Sequence, residues 1–412
     1  MNDQERRGGK AIVNQPKGRA VAPELTPMKG GLAALVGLVI LTLALAVPSA
    51  VSADEWSVIG RVDQRFEADS NPRLMTTGED TTYGSITTPE IRLRGRSPLL
   101  DVSLVGRFDF AWYDDSDLSS NDQLGRLESS YRTQTSIWGL NAEVDRDTTR
   151  TSEFTDTGIF DVLARRLRYQ ISPSYTAIVT PRNRLRVNGS YTDVNYDTSS
   201  LSDYTTLGGG LTWFHDYTQK TELTLGAQVY HFETQSGPDS ETDLYALLLG
   251  ATHKYSERLK VSASIGPRYQ SSDTATTSAN SIGVQLGASV EYLMSEQTTF
   301  TGSIDRSVTG SGSGTTPERN TLKFSATHQF LPRWQFLFGA TYIKDEKEPT
   351  AGTDGREYIS LEPAVRWQVA RTVDLSTSYR YRRQEYDSGS EADSNAVFLT
   401  LTYRPLPWML SR

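Results

Sequence analysis

Residues 372–386 read TVDLSTSYRYRRQEY, and the fold turns on which face of this stretch points inward. Val373, Leu375, Tyr379 and Tyr381 alternate with Asp374, Ser376, Ser378, Arg380 and Arg382. A period of two marks a strand with one apolar and one polar face. In a soluble sheet the apolar face turns in. In a membrane barrel the faces exchange: the apolar side meets lipid and the charged side lines a wet interior.

The same pattern extends from Trp56 to Tyr403. An alternating run of about 12 residues, a tight turn, a second run and a longer polar loop recur roughly every 40 residues, the scale of repeat architectures. About 18 strands result, and short connections such as TPRN (180–183) and LPR (331–333) alternate with long ones. The long ones include 69–80, 114–122, 271–280, 309–318 and 345–355, and one strand is read over 158–178. A propeller repeats every four strands, whereas this chain repeats every two. The pattern predicts an all-β protein, a transmembrane antiparallel up-and-down β-barrel. An even strand number puts both ends on the short-turn side, the periplasm. No loop is expected to be long enough to fold in as a sizeable plug.

Composition agrees. The 412 residues are 37% hydrophobic and hold no cysteine, and mean hydropathy is −0.47. The one long apolar run, GLAALVGLVILTLALAV (31–47), follows Met28-Lys29 and precedes PSAVSA and Asp54. It reads as a secretory signal peptide cleaved after Ala53, or alternatively as a signal anchor. Residues 1–53 are then leader, with Met28 an alternative start; 54–404 form the barrel, and 405–412 a short periplasmic tail. The leader carries six of the 42 basic and three of the 50 acidic residues, which leaves the remainder near −11. No basic patch dominates, so nucleic acid is not expected as a partner. Zero cysteine excludes disulfides and thiolate metal sites.

Phase sorts the side chains. Strand 99–112 sets Val102, Leu104, Phe108, Phe110 and Trp112 against Ser103, Arg107 and Asp109. Tryptophans recur near strand ends, as interfacial girdles require. The expected lumen-lining residues, candidates for selectivity, are Arg61, Arg65, Arg92, Arg94, Arg96, Arg107, Asp109, Arg126, Arg166, Arg168, Arg184, Arg186, Arg366, Arg380 and Arg382. They gather on strands 1–7 and on 16–17, which closure brings near strand 1. Strands 8–15 carry mostly Thr, Ser, Gly and Gln inside. One wall is thus charged and the other hydroxyl-lined. Paired charges in a wet lumen and a solute-orienting path are both compatible with this. Strand 241–254 is apolar on both faces, and Pro267 and Pro363 fall inside strands, where local bulges are expected.

No HExxH, GxSxG or P-loop pattern occurs. The four histidines, His215, His231, His253 and His328, sit near strand ends, and most face outward by phase. Catalytic residues, metal sites and cofactors are therefore expected to be none, and an enzyme is disfavoured. Asp114, Asp115 and Asp117 read as solvated loop tips or as a Ca²⁺ bridge to lipopolysaccharide.

SNPRLM (70–75) and YTDVNYDTSSLSDYTTLGGGLTWFHDYTQKTELTLGAQVYHFET (191–234) resemble a β-barrel porin family whose members often accompany exopolysaccharide export systems in Gram-negative bacteria. The resemblance covers nearly the whole chain after the leader and rests on the style of the repeat. It implies an outer-membrane port, a passive conduit for polar solutes or secreted exopolysaccharide. The alternative is a structural or adhesive barrel whose loops bind lipopolysaccharide. Expected partners are outer-membrane lipid and lipopolysaccharide, the barrel-insertion machinery and a polysaccharide export complex. One departure stands out: NAVFLTLTY (395–403) is followed by PLPWMLSR rather than ending on its aromatic residue.

Overall fold

A computed structural model describes residues 55–77, 80–152, 163–237, 239–275, 277–346 and 355–410. The leader and its cleavage site lie outside these residues. The strands are β1 (Glu55–Asp69), β2 (Thr82–Arg96), β3 (Leu100–Tyr113), β4 (Ser120–Arg132), β5 (Ser136–Thr148) and β6 (Arg165–Thr180). Next come β7 (Asn183–Tyr196), β8 (Tyr204–Asp216), β9 (Thr221–Thr234), β10 (Ser240–Ser256), β11 (Leu259–Thr274) and β12 (Ser278–Ser295). The last are β13 (Thr298–Val308), β14 (Glu318–Leu331), β15 (Trp334–Asp345), β16 (Arg356–Ala370), β17 (Val373–Tyr386), β18 (Glu391–Tyr403) and the two-residue β19 (Trp408–Met409).

Each strand pairs antiparallel with its sequence neighbours, and β1 closes on β18 from Val62↔Tyr403 to Asp69↔Ala396. The ring is an 18-strand antiparallel barrel. Past Tyr403 the chain does not leave the wall as a free tail. Trp408 and Met409 pair with Val58 and Ser57, so β19 seals the part of β1 that β18 does not reach. Pro405 and Pro407 break the strand between the two pieces because neither can donate a ladder hydrogen bond.

The large apolar side chains are exposed on the outer face: Phe108, Phe110 and Trp112 on β3, Leu207 and Leu211 on β8, Val397, Leu399 and Leu401 on β18. β10 shows how its two apolar faces are used. Tyr245, Leu247 and Leu249 face out and are exposed, while Leu244 and Ala246 face in and are buried. Six of the seven tryptophans sit at the short-turn end, where Trp334 stacks on Trp367 with centroids 5.3 Å apart.

The prolines do not make bulges. At Pro267 the β10–β11 ladder lapses between Ala246↔Arg268 and Leu249↔Ile265, and the register on either side is the same. Pro363 on β16 interrupts its ladder to β17 in the same way, between Leu361↔Tyr381 and Ala364↔Ser378. A missing donor costs one pair of rungs, and the flanking pairs hold the strands in step. Beside Pro267 a Cβ on Gly266 would lie 1.6 Å from the Leu247 carbonyl oxygen, so only glycine fits there.

Four connections differ from expectation. The expected loop 271–280 is mostly strand, because β11 runs to Thr274 and β12 starts at Ser278. The start of the strand expected at 158 lies outside the described residues; after β5 comes a helical turn, α1 (Thr149–Ser152), residues 163–164 are not strand, and β6 begins at Arg165. Two loops at the long-loop end fold into the barrel. Residues 70–75 bury Leu74 against Ile343, Tyr358 and Ala392. Residues 309–317 reach the inner side of β7–β11. Neither is a sizeable plug: 70–75 is held by buried Leu74, and 309–317 lies close to the wall because its glycines carry no side chain.

Candidate functional site

The lumen is the candidate site. All fifteen expected residues lie on the inward phase of their strands, opposite the exposed apolar side chains. Nine of them, Arg61, Arg65, Arg107, Asp109, Arg126, Arg166, Arg168, Arg380 and Arg382, line one cavity of about 840 Å³. Arg92 and Arg94 line a separate cleft at the short-turn end, and Arg184 another across the barrel. Arg96, Arg186 and Arg366 border none of these three spaces.

Within the large cavity eight of the nine arginines meet a carboxylate, and the ninth, Arg150, meets the Tyr113 hydroxyl. Arg61 pairs with Asp63 at 2.8 Å, Arg65 with Glu67 at 3.2 Å and Arg107 with Asp109 at 3.1 Å. All three are i, i+2 pairs on one strand face, set side by side by the two-residue period. Arg126 on β4 reaches Glu143 on β5 at 2.7 Å, and Arg168 on β6 shares that carboxylate. Counted around the cavity there are nine arginines and ten carboxylates. The charged wall is thus alternating rather than cationic and presents donors and acceptors at every row.

Two of the expected arginines present almost no surface. Arg166 is 1% exposed and holds Asp147 in a two-point pair at 3.0 and 2.9 Å. Arg382 is 4% exposed and donates to Asp69 Oδ2 at 2.9 Å, to Ser394 Oγ and to the carbonyls of Asn71 and Pro72. It clamps the inturned loop to the wall. Asn71 stiffens that loop from inside, accepting from the Met75 N–H and donating to the Met75 carbonyl.

At the short-turn end Arg94 and Arg96 converge on Asp101 at 3.1 and 3.4 Å. Arg92 lies 3.4 Å from Glu90, and Arg184 pairs with both Asp216 and Glu222. Arg186 bonds Thr176 at 3.1 Å, and Arg366 bonds Gln335 at 3.2 Å.

The opposite wall is lined by small hydroxyl side chains. Its cleft of about 550 Å³ is bordered by Ser262, Ser289, Thr301, Ser303, Ser325 and Thr341, with Lys260 and Lys323 among them. Cross-strand hydroxyl pairs such as Thr301–Ser325 (2.6 Å) and Thr252–Ser262 (3.0 Å) run down it.

Several participants escape a reading by periodicity alone. Asp345 bridges buried Arg319 and Arg356 with contacts of 2.6 Å to each. Arg150, on α1, lies over the Tyr113 ring at 4.8 Å and bonds its hydroxyl, which donates to Glu67. Asp69, Asp147, Arg268 and Glu318 belong with them. Their strand phase is legible in sequence, but their partners depend on register.

The four histidines face outward, packed against outer aromatic residues (His253 edge-on to Tyr255) or paired with outer polar ones. Register puts His231 opposite Asp243 and beside Glu241, the one group among the described residues that could ligate a metal. It is solvated, on the outer face.

Over residues 51–405 the sequence matches a family described as "Putative beta-barrel porin 2". No curated protein matches it. Among solved structures, Pseudomonas aeruginosa OccK5 (OpdH) is similar at 9% identity and a TM-score of 0.48, over 86% of this chain and 100% of that one. Pseudomonas aeruginosa OpdK with vanillate gives 11% and 0.47, over 86% and 99%. The unliganded ferric citrate transporter FecA gives 12% and 0.47 over 82% of this chain, which spans only 60% of that transporter's length.

Proposed function

Because the chain belongs to the family described as Putative beta-barrel porin 2, we propose that it is a passive channel of the Gram-negative outer membrane for polar solutes. The observation that carries this is the lumen: a closed ring of 18 strands around alternating charges on one side and hydroxyls on the other. Rings of this size leave an aqueous interior, and rows of paired charges orient what passes. No histidine faces the lumen, and the reading we favour is transport rather than catalysis.

For the solute, a secreted exopolysaccharide suits the lining. Sugars carry many hydroxyls and few net charges, and the two walls offer donors and acceptors without a net cationic barrier. The 15 inward residues act in this reading as an orienting surface, with Arg166 and Arg382 as its framework. Reconstitution in planar bilayers tests the channel: discrete conductance steps are expected. A folded, inserted protein that gives none removes it. Adding the polysaccharide then tests the solute, which should block those steps from one side.

A second reading has its own support. The inturned loops at 70–75 and 309–317 narrow the long-loop end, which favours a structural barrel whose outer loops bind lipopolysaccharide. Deleting loop tips that abolishes lipopolysaccharide binding, in a barrel that conducts no ions, selects it.

A further inference from the structure

The ladder between β12 and β13 is incomplete. It begins at Leu286↔Arg306 and runs down to the short turn. Above it, Ser278–Gln285 of β12 pair with β11 alone, and Ile282 is 84% exposed. A free strand edge is a template for another strand.

The segment that ought to cover this edge lies elsewhere. The β13–β14 hairpin continues past Val308, with Ser311 N–H donating to the Thr315 carbonyl at 2.9 Å and Gly314 N–H to the Ser311 carbonyl at 2.9 Å. Its tip bends across the lumen to the β7–β11 wall. There the Gly312 carbonyl accepts from Ser202 N–H at 2.8 Å, and Thr316 sits 3.1 Å from Thr242, hydroxyl to hydroxyl. The tip fits because it is small: a Cβ on Gly310 would come 2.5 Å from the Phe232 ring, and one on Gly312 would come 2.6 Å from the Tyr196 hydroxyl. Side chains occupy the gap that it leaves. Glu318, at the foot of the tip, holds outward Arg306 and inward Arg268 together, and a Cβ on Gly283 would lie 2.6 Å from the Arg268 guanidinium.

We propose that the free edge of β12 is the second docking site of the 309–317 tip, so that the tip alternates between the lumen and the wall. Continuing the register of Leu286↔Arg306 sets Gly283 against Thr309, Ser281 against Ser311 and Ser278 against Gly314. Docked there, the tip completes the wall and clears the mouth. Docked in the lumen, it narrows the mouth and leaves the edge open. The chain's lack of cysteine makes both positions addressable.

The full-length protein in liposomes carries either Thr242→Cys with Thr316→Cys, which reports the lumen position, or Ser281→Cys with Ser311→Cys, which reports the wall position. Directly opposed strand residues meet disulfide geometry. Both pairs are expected to cross-link under mild oxidant in heat-modifiable, folded barrel. Gly310→Ala with Gly312→Ala, which crowds the lumen position, should speed the wall cross-link several-fold. A Ser281–Ser311 pair that stays reduced while the Thr242–Thr316 pair closes overturns the proposal, as does failure of the Thr242–Thr316 pair in a folded barrel. Cross-linking does not depend on conduction and so stands apart from the channel reading. Where conductance is measured, locking the tip in the wall should raise it, and reduction should reverse the rise; unchanged conductance overturns the gating role.

Discussion

Replacing Arg382 with methionine tests whether the inner wall is held by buried charge. Arg382 supplies donors to Asp69, Ser394 and two carbonyls of the 70–75 loop. Without it Asp69, whose side chain is 2% exposed, keeps the Asn71 N–H and Ser394 hydroxyl but only a distant Arg380 at 3.4 Å. Removing one partner of a buried pair costs about 3–5 kcal/mol. The other principal anchor of the loop is Leu74, fully buried and worth about 1.5–3 kcal/mol. The loss exceeds what Leu74 can hold, so the loop should undock while the barrel ladder stays intact. At 1.4 kcal/mol per tenfold, the undocked population rises on the order of 10²–10³-fold. Trypsin reports this at Arg73, within the loop, in folded detergent-solubilised protein. Arg382→Met should be cut there at least tens of times faster than wild type, whereas Arg383→Met, which loses only two exposed pairs, should not. Adding Asp69→Asn to Arg382→Met should restore much of the protection, because the stranded carboxylate is gone. Equal cleavage rates in wild type and Arg382→Met would refute the clamp.

Three other outcomes follow from the geometry. Gly266→Ala should reduce the yield of heat-modifiable barrel, since Leu247 O occupies the methyl position; normal yield would mean that β10 can move aside freely. Deleting residues 404–412 leaves Ser57 and Val58 without their β19 partners and should slow assembly into liposomes; unchanged kinetics would make β19 dispensable. Converting Arg92, Arg94 and Arg96 together to glutamate turns the short-turn mouth acidic around Asp101, so the reversal potential in a salt gradient should move toward cation preference; a potential that stays put would exclude this rim from selectivity.

The sequence by itself determined the barrel. TVDLSTSYRYRRQEY and its 17 counterparts carry strand identity, strand order and the inside–outside assignment, because a two-residue period is local and each face answers to one solvent. It also carried the uneven wall, since Arg and carboxylate at i, i+2 on one strand must share a face. Four things lay beyond it. Bulges were expected at Pro267 and Pro363, yet the register holds through both, because neighbouring rungs on both sides fix it. Arg166 and Arg382 look like their exposed neighbours in sequence, but their burial comes from Asp147 and from the loop laid over Arg382. The tail after Tyr403 reads as a short periplasmic tail and the inturned loops as long polar connections, yet part of the tail is wall and the loops constrict the lumen. Only tertiary structure decided these, because each depends on which distant strand lies across a lumen or a seam. The local period says which way a side chain points, and closure of the ring says what it meets there.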